Sequence, residues 1–165
     1  MEETPDAVLA PLARPLVAAV TLYVGDRGVA EELAQEAMAR ALVDWSRVRA
    51  RDRPEAWVYR VAFNLARSRW RRRGAERRAY ARHGATGDAS VDHGPQTTTA
   101  VVVREAVAAL PPRYRQVVAC RYLADLSVAD TAVAMGCAEG TVKSLTYKAL
   151  ATLRDVGLEE VVLDA

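Results

Sequence analysis

The chain has 165 residues, enough for one ordinary domain or two small ones, and its 51% apolar content argues against an intrinsically disordered protein. Its net charge of +2 averages over a strong asymmetry: residues 47–82 carry thirteen arginines against Asp52, Glu55 and Glu76, a local +10, while both flanks are acidic. A single Phe, few alternating β-branched runs and a surplus of Ala, Val, Leu and Arg point away from a sheet protein and predict an all-α fold.

A concentrated block of arginine is the electrostatic footprint of a polyanion partner, because each phosphate neutralised releases condensed counterions. The acidic start MEETPDAVLAPLARPL lacks the basic segment and long apolar run of a secretory signal. No run of about 18 apolar residues is read anywhere, so a cytoplasmic chain without a membrane partner is expected. Cys120 and Cys137 lie in apolar helical patterns with no C-x-x-C spacing and should be reduced, packed thiols. His83 and His93 have no second ligand three or four residues away, so neither a metal nor any other cofactor is expected. No phosphate-binding glycine loop, nucleophile motif or catalytic carboxylate pair is visible, and the chain is not read as an enzyme.

In chain order, Leu12, Leu16, Val20 and Tyr23 form the stripe of a first helix, whose regular part the prolines at 11 and 15 should delay until about Pro15. Gly25 should end it. After a turn over Asp26–Gly28, a second helix buries Val29, Leu33, Ala37 and Ala41 and turns Glu31, Glu32, Gln35, Glu36 and Arg40 outward. That outer face reads equally well as solvated or as an interface. Trp45 should close the core, and Ser46–Arg53 forms an arginine-rich connection.

Pro54 suits the first residue of a third long helix, PEAWVYRVAFNLARSRWRRR. At 100° per residue, Val58, Val61, Ala62 and Leu65 share one side, while Arg60, Asn64, Arg67 and Arg71 fall within about 60° of one another on a different side. Tyr59, Phe63 and Trp70 run beside the arginines, a composition suited either to stacking exposed bases or to ordinary core packing.

Residues 75–99 lose apolar periodicity and gain Gly, Ser, Thr, Asp and His, which reads as a flexible linker between modules at 1–74 and 100–165. The second module has a helix stopping before Pro111 and a second one ending near Asp125. A third is capped by Ser127 with Asp130 in its first turn. Gly136 should supply a positive φ, and the last helix packs Val142, Thr146, Ala149, Leu150 and Leu153 inward. Thr141, Lys143, Ser144, Tyr147 and Lys148 face out, the pattern of a helix-turn-helix whose second helix enters the major groove, though a plain helical hairpin shares that spacing.

Three segments in order resemble a bacterial sigma factor of the extracytoplasmic-function (group IV) type of the sigma-70 family. VAEELAQEAMARAL is similar to its region 2.2 helix, PEAWVYRVAFNLARSRWRRR to regions 2.3 and 2.4, and ALPPRYRQVV with LSVADTAVAMGCAEGTVKS to region 4. The resemblance implies a region 2 helical bundle and a region 4 helix-turn-helix joined by the linker. It implies core RNA polymerase as partner, with Glu32, Gln35, Glu36 and Arg40 on the β′ clamp helices and region 4 on the β flap. Arg60, Asn64, Arg67 and Arg71 would hold the non-template strand of the minus-ten element. Thr141, Lys143, Ser144, Tyr147 and Lys148 would read the minus-thirty-five element of promoter DNA. An anti-sigma factor or another regulatory protein is a further implied partner. The chain departs from the family pattern at Glu32, Met38, Leu42, Ala138 and Leu145. Ala138 lacks a cap hydroxyl, and Leu145 stands where an arginine is usual. The residues alone leave two other functions open, a stand-alone helix-turn-helix regulator and a sigma-like adaptor that does not read promoters.

Overall fold

The structure is a computed structural model, and it describes residues 4–82 and 98–158. His83 and His93, and most of the segment read as linker, lie outside the described residues. Among those described there are helices and no strands. The first module contains α1 (Pro5–Val24), α2 (Arg27–Val43), the short α3 (Trp45–Arg49) and α4 (Pro54–Arg82). The second contains α5 (Thr98–Ala109), α6 (Pro112–Val118) continued by a π-helical turn (Ala119–Leu123), then α7 (Val128–Met135) and α8 (Glu139–Asp155).

Local signals account for most boundaries. Gly25 closes α1 at φ 79° with its N–H donating to the Thr21 carbonyl, and the Asp26 carboxylate caps α2 by accepting from the Val29 N–H at 2.9 Å. α2 therefore starts at Arg27, inside the expected turn. Ser127 Oγ accepts from the Asp130 N–H at 3.0 Å at the start of α7, and Gly136 ends that helix at φ 65°.

Two further boundaries differ from the sequence reading, and α3 (Trp45–Arg49) occupies part of the segment read as a connection. α1 starts at Pro5 rather than near Pro15, with Pro11 and Pro15 inside it. Each proline withdraws a donor from the carbonyl four residues back, and those carbonyls belong to Ala7 and Pro11, both exposed, where water can satisfy them. α4 continues through Gly74 to Arg82, eight residues into the expected linker, because the following Ala-Glu-Arg-Arg-Ala run consists of strong helix formers. α1 is also, by length and composition, long and apolar enough to cross a membrane, with a mean hydropathy of 1.7, contrary to the expectation of no such run. Here its stripe of Leu16, Ala19, Val20 and Tyr23 is buried, and the helix packs against α2 and α4.

The first module's core joins that stripe to Leu33, Ala34, Ala37 and Ala41 of α2 and to Val58, Tyr59, Ala62, Phe63 and Ala66 of α4. Tyr23 meets Phe63 edge-on, with ring centroids 5.1 Å apart. Val48 of α3 is buried and Trp45 is partly buried at the core's margin. In the second module, α6 and α7 pack on α8 through Val117, Ala134, Met135, Val142, Ala149 and Leu153. Cys120 is buried, Cys137 is half-buried and both are free thiols.

The modules also pack on each other, which no local pattern announces. α7 lies against α4, and α1 touches α5, α6 and the π-helical turn. Arg115 of α6 projects over two rings of the first module, 5.2 Å from the Trp70 centroid and 5.9 Å from that of Tyr23. A half-buried cation held against aromatic faces in this way is stabilised by about 1 kcal/mol. Farther along the seam, Arg53 Nη1 donates to Asp130 Oδ1 at 2.6 Å.

Ala138, at the N-cap of α8, makes no side-chain cap hydrogen bond although its backbone is already extended at φ −72°, ψ 153°. Ala138→Ser supplies the missing acceptor and should stabilise the chain by about 1 kcal/mol in urea unfolding. An unchanged midpoint would show that water already satisfies the first-turn donors.

Candidate nucleic-acid and polymerase interfaces

The core packing of α4 decides where its arginines go. With Tyr59, Phe63 and Ala66 turned inward, Arg60, Asn64 and Arg71 are exposed and Arg67 is half-buried, all along one stripe. Arg67 Nη2 donates to Asn64 Oδ1, and Arg71 Nη2 to Ser68 Oγ at 3.1 Å. These bonds restrict the long side chains without neutralising their charge. The stripe is thus a row of cations at helical spacing, suited to a phosphate backbone.

The aromatic residues beside it divide differently. Tyr59 and Phe63 are 1% and 0% exposed, so they are core residues and not available for base stacking. Burial, with the nearby Cys120 thiol, pushes the Tyr59 phenol far above its usual range. Trp70 is partly buried between Tyr23 and Arg115. An aromatic that the sequence reading passed over is Trp57, half-buried in the first turn of α4 with the Arg51 guanidinium 5.1 Å from its centroid. The two arginines just ahead of it, Arg51 and Arg53, were the available signal.

α2 builds a second surface. Glu32, Gln35, Glu36 and Arg40 are all exposed on its outer side. Glu36 Oε1 accepts from Arg40 Nε at 2.8 Å, and Glu32 Oε2 accepts from Arg69 Nη1 at 2.7 Å. Arg69 lies about 140–180° around α4 from the arginine stripe. Its bond to Glu32 therefore fixes α2 on the far side of α4, and the two surfaces are separate. Leu42 and Val43, 49% and 89% exposed, extend the α2 surface with apolar area. Sequence periodicity flagged neither, because both follow the last buried turn.

In the second module, Thr141, Lys143, Ser144, Tyr147 and Lys148 are exposed together on α8, with Tyr147 at 70%. Leu145 is half-buried against the core, so it does not belong to that outer face. α7 and α8, joined at Gly136, form a helix-turn-helix. The carboxyl of Asp130 is pushed up by partial burial, but hydrogen bonds from Ser127 and Arg53, together with the Arg53 charge, outweigh that and hold it below the usual carboxylate range.

Two helical modules, one with a solvent-facing arginine stripe and one with an outward helix-turn-helix, have the surfaces of a nucleic-acid-binding protein. Comparison with known proteins narrows this. The Sigma-70 region 2 family matches residues 10–76 and the Sigma-70 region 4 family matches residues 100–153. The RNA polymerase sigma-E factor of Streptomyces antibioticus is 34% identical over 137 residues, spanning 82% of this chain and 74% of that protein. The ECF RNA polymerase sigma factor BldN of Streptomyces coelicolor is 33% identical over 79% of this chain and 51% of its own. The sigma factor RpoE of Bartonella quintana, solved in complex with the anti-sigma factor NepR, shares the fold at a TM-score of 0.74 and 23% identity, over 89% of this chain and 92% of its own. The chain belongs to the sigma-70 family of RNA polymerase sigma factors, as one of its extracytoplasmic-function type.

The lowered pKa of Asp130 has a signed consequence. A carboxyl depressed in the folded state contributes stability above its unfolded pKa of about 3.9, and that contribution is lost as pH falls through the folded value. Between about pH 5 and about pH 2, the wild type should lose urea stability more steeply than Asp130→Asn. Parallel curves for the two proteins would remove Asp130 from the acid response.

Proposed function

We propose that this sigma factor divides promoter recognition between its modules, with α4 holding an opened strand and α8 reading duplex DNA upstream. Arg60, Asn64, Arg67 and Arg71 are the strand-holding residues. The observation that carries the assignment is their common exposure on the side of α4 away from the Arg69–Glu32 bond. Cations at helical spacing match consecutive phosphates, and Asn64 adds a donor and an acceptor that can address a base edge. Opening the duplex also unstacks bases, and the Trp57 indole is near enough to solvent to receive one.

Thr141, Lys143, Ser144, Tyr147 and Lys148 are the upstream contacts. The two lysines neutralise phosphates, while Thr141, Ser144 and Tyr147 present hydroxyls that can meet base edges in the major groove. With Leu145 turned partly inward, this face has only two full charges, so upstream binding depends on groove fit more than on electrostatic attraction.

Core RNA polymerase is engaged through Glu32, Gln35, Glu36 and Arg40 of α2, on the β′ clamp helices. Exposed Leu42 and Val43 supply the apolar area that a chain of charges alone lacks. The second module docks on the β flap. The isolated chain performs no catalysis; nucleotide joining belongs to the polymerase, and the complex works where the polymerase works, in the cytoplasm.

Arg67→Glu turns a phosphate attraction into a repulsion and should cut open-complex formation in reconstituted transcription by about tenfold or more, a change of about 1.4 kcal/mol or greater. Its co-purification with core polymerase should stay intact, because α2 is untouched. Normal open complexes with this variant would refute the role given to the stripe. Tight binding of the free wild-type chain to duplex DNA, with no association with polymerase, would instead support a stand-alone regulator.

A further inference from the structure

We propose that the cleft between α1, α2, α5 and the π-helical turn binds a small anionic amphiphile, an aliphatic chain ending in a carboxylate or a phosphate. None of the residues assigned to DNA or to polymerase lines it, so the site is separate from both and goes beyond the promoter-directed role.

The first support is leftover apolar surface. α1 is more apolar than its core contacts require: its mean hydropathy reaches 1.7 over a window of which only 33% is buried. Val17, Ala18 and Leu22 of that helix line a cleft of about 550 Å³, a volume in the range of small-molecule sites. From Ala13 to Leu22 the α1 wall is about 13 Å long at 1.5 Å per residue, enough for a medium-length aliphatic chain. Four separate elements contribute walls. That makes a cup for a compact ligand rather than the trough that a partner helix occupies.

The second support is the charge set into those walls. Arg14 of α1, Arg27 of α2 and Arg104 of α5 all line the cleft, against one carboxylate, that of Glu31. Glu31 Oε1 accepts from Arg27 Nε at 2.8 Å, which answers one of the three cations. Arg14 and Arg104 have no carboxylate partner among the described residues, and Arg104 is half-buried. The Thr21 hydroxyl in the same wall is committed to the Val17 carbonyl at 2.7 Å. The side-chain donors left in the cleft are therefore guanidinium groups, which hold carboxylate and phosphate oxygens in bidentate fashion. An apolar floor beside unpaired guanidinium groups selects a ligand with both characters.

The third support is the π-helical turn. The Ala124 N–H donates to the Ala119 carbonyl, five residues back, at 3.0 Å, and Asp125 follows at φ 50°, a conformation that few residues other than glycine adopt. Both features cost stability. The wider turn rotates the side chains that follow it, and Leu123 ends 40% exposed in the cleft wall instead of in the core. Strain of this kind is tolerated where it shapes a binding site.

Isothermal titration of the full chain with decanoate and with decyl phosphate, both kept below micelle formation, gives the direct test. At least one of the two should saturate at one molecule per chain with a Kd on the order of 10–100 µM, and the tighter of them names the head group. Lengthening that probe by one methylene should tighten binding by about two- to fourfold. Arg14→Ala and Arg104→Ala should each weaken it by about fivefold or more. Leu123→Asp, at an exposed position, should abolish it. Arg78→Ala, which loses the same charge outside the cleft, should bind like wild type. Circular dichroism identifies any variant that has lost its helices, and the remaining ones decide. Equal binding of decanol or decyltrimethylammonium would show that the guanidinium groups play no part and would overturn the proposal. So would unchanged binding in the lining variants, no saturable binding of either anionic probe, or association confined to phosphatidylglycerol vesicles, the mark of a lipid surface. None of these outcomes touches the sigma-factor assignment, which run-off transcription with core polymerase tests by itself.

Discussion

The burial of Val58, Tyr59, Ala62, Phe63 and Ala66 against α1 and α2 is the contact on which the other surfaces depend. Full burial of a side chain such as Phe63 is favourable by about 1.5–3 kcal/mol, so rotating α4 to expose this stripe would forfeit several such contributions. With that face fixed, helical geometry leaves no freedom for the rest. Arg60, Asn64, Arg67 and Arg71 must point away from α2, and Arg69 must point towards it, where Glu32 receives it. A hydrophobic contact thereby determines the placement of charges that it never touches.

Fixing the charges in this way separates two tasks that would otherwise interfere. A protein partner needs an approachable surface with apolar area and modest charge, which α2 offers through Leu42, Val43 and the Glu36–Arg40 pair. A nucleic acid needs unneutralised cations, which α4 offers on its other side. The acidic second module completes the logic. Its Asp130 carboxylate pairs with Arg53 of the first module, so the chain's overall +2 charge reflects opposed surfaces that meet along the seam.

Much of this was legible because it is local. Pro54, Ser127 and Gly136 act on their own turns, and their positions in the chain were enough to locate α4, α7 and the helix-turn-helix. The exposure of Thr141, Lys143, Ser144, Tyr147 and Lys148 followed from one helix's periodicity. The misreadings share a different cause. Pro11 and Pro15 look like a late start only if the carbonyls they orphan are assumed to be buried, and the segment after Gly74 looks like a linker only if its helix formers are discounted. Tyr59 and Phe63 could not be separated from Trp57 by composition, since the choice between core and surface depends on which helices arrive alongside. The seam was the least visible feature. The pattern of its own helix gave Arg115 no role, and its ring partners, Tyr23 and Trp70, belong to the other module.

Site-specific photocrosslinking tests the central assignment most directly. A photoreactive side chain at position 64, between Arg60 and Arg67 on the exposed stripe, would be irradiated within a complete complex of polymerase, this chain and promoter DNA. The account predicts attachment to a single strand inside the opened segment, lost when the template is kept fully duplex. Attachment confined to polymerase subunits, or to duplex DNA whether or not it has opened, would contradict the claim that α4 holds a separated strand.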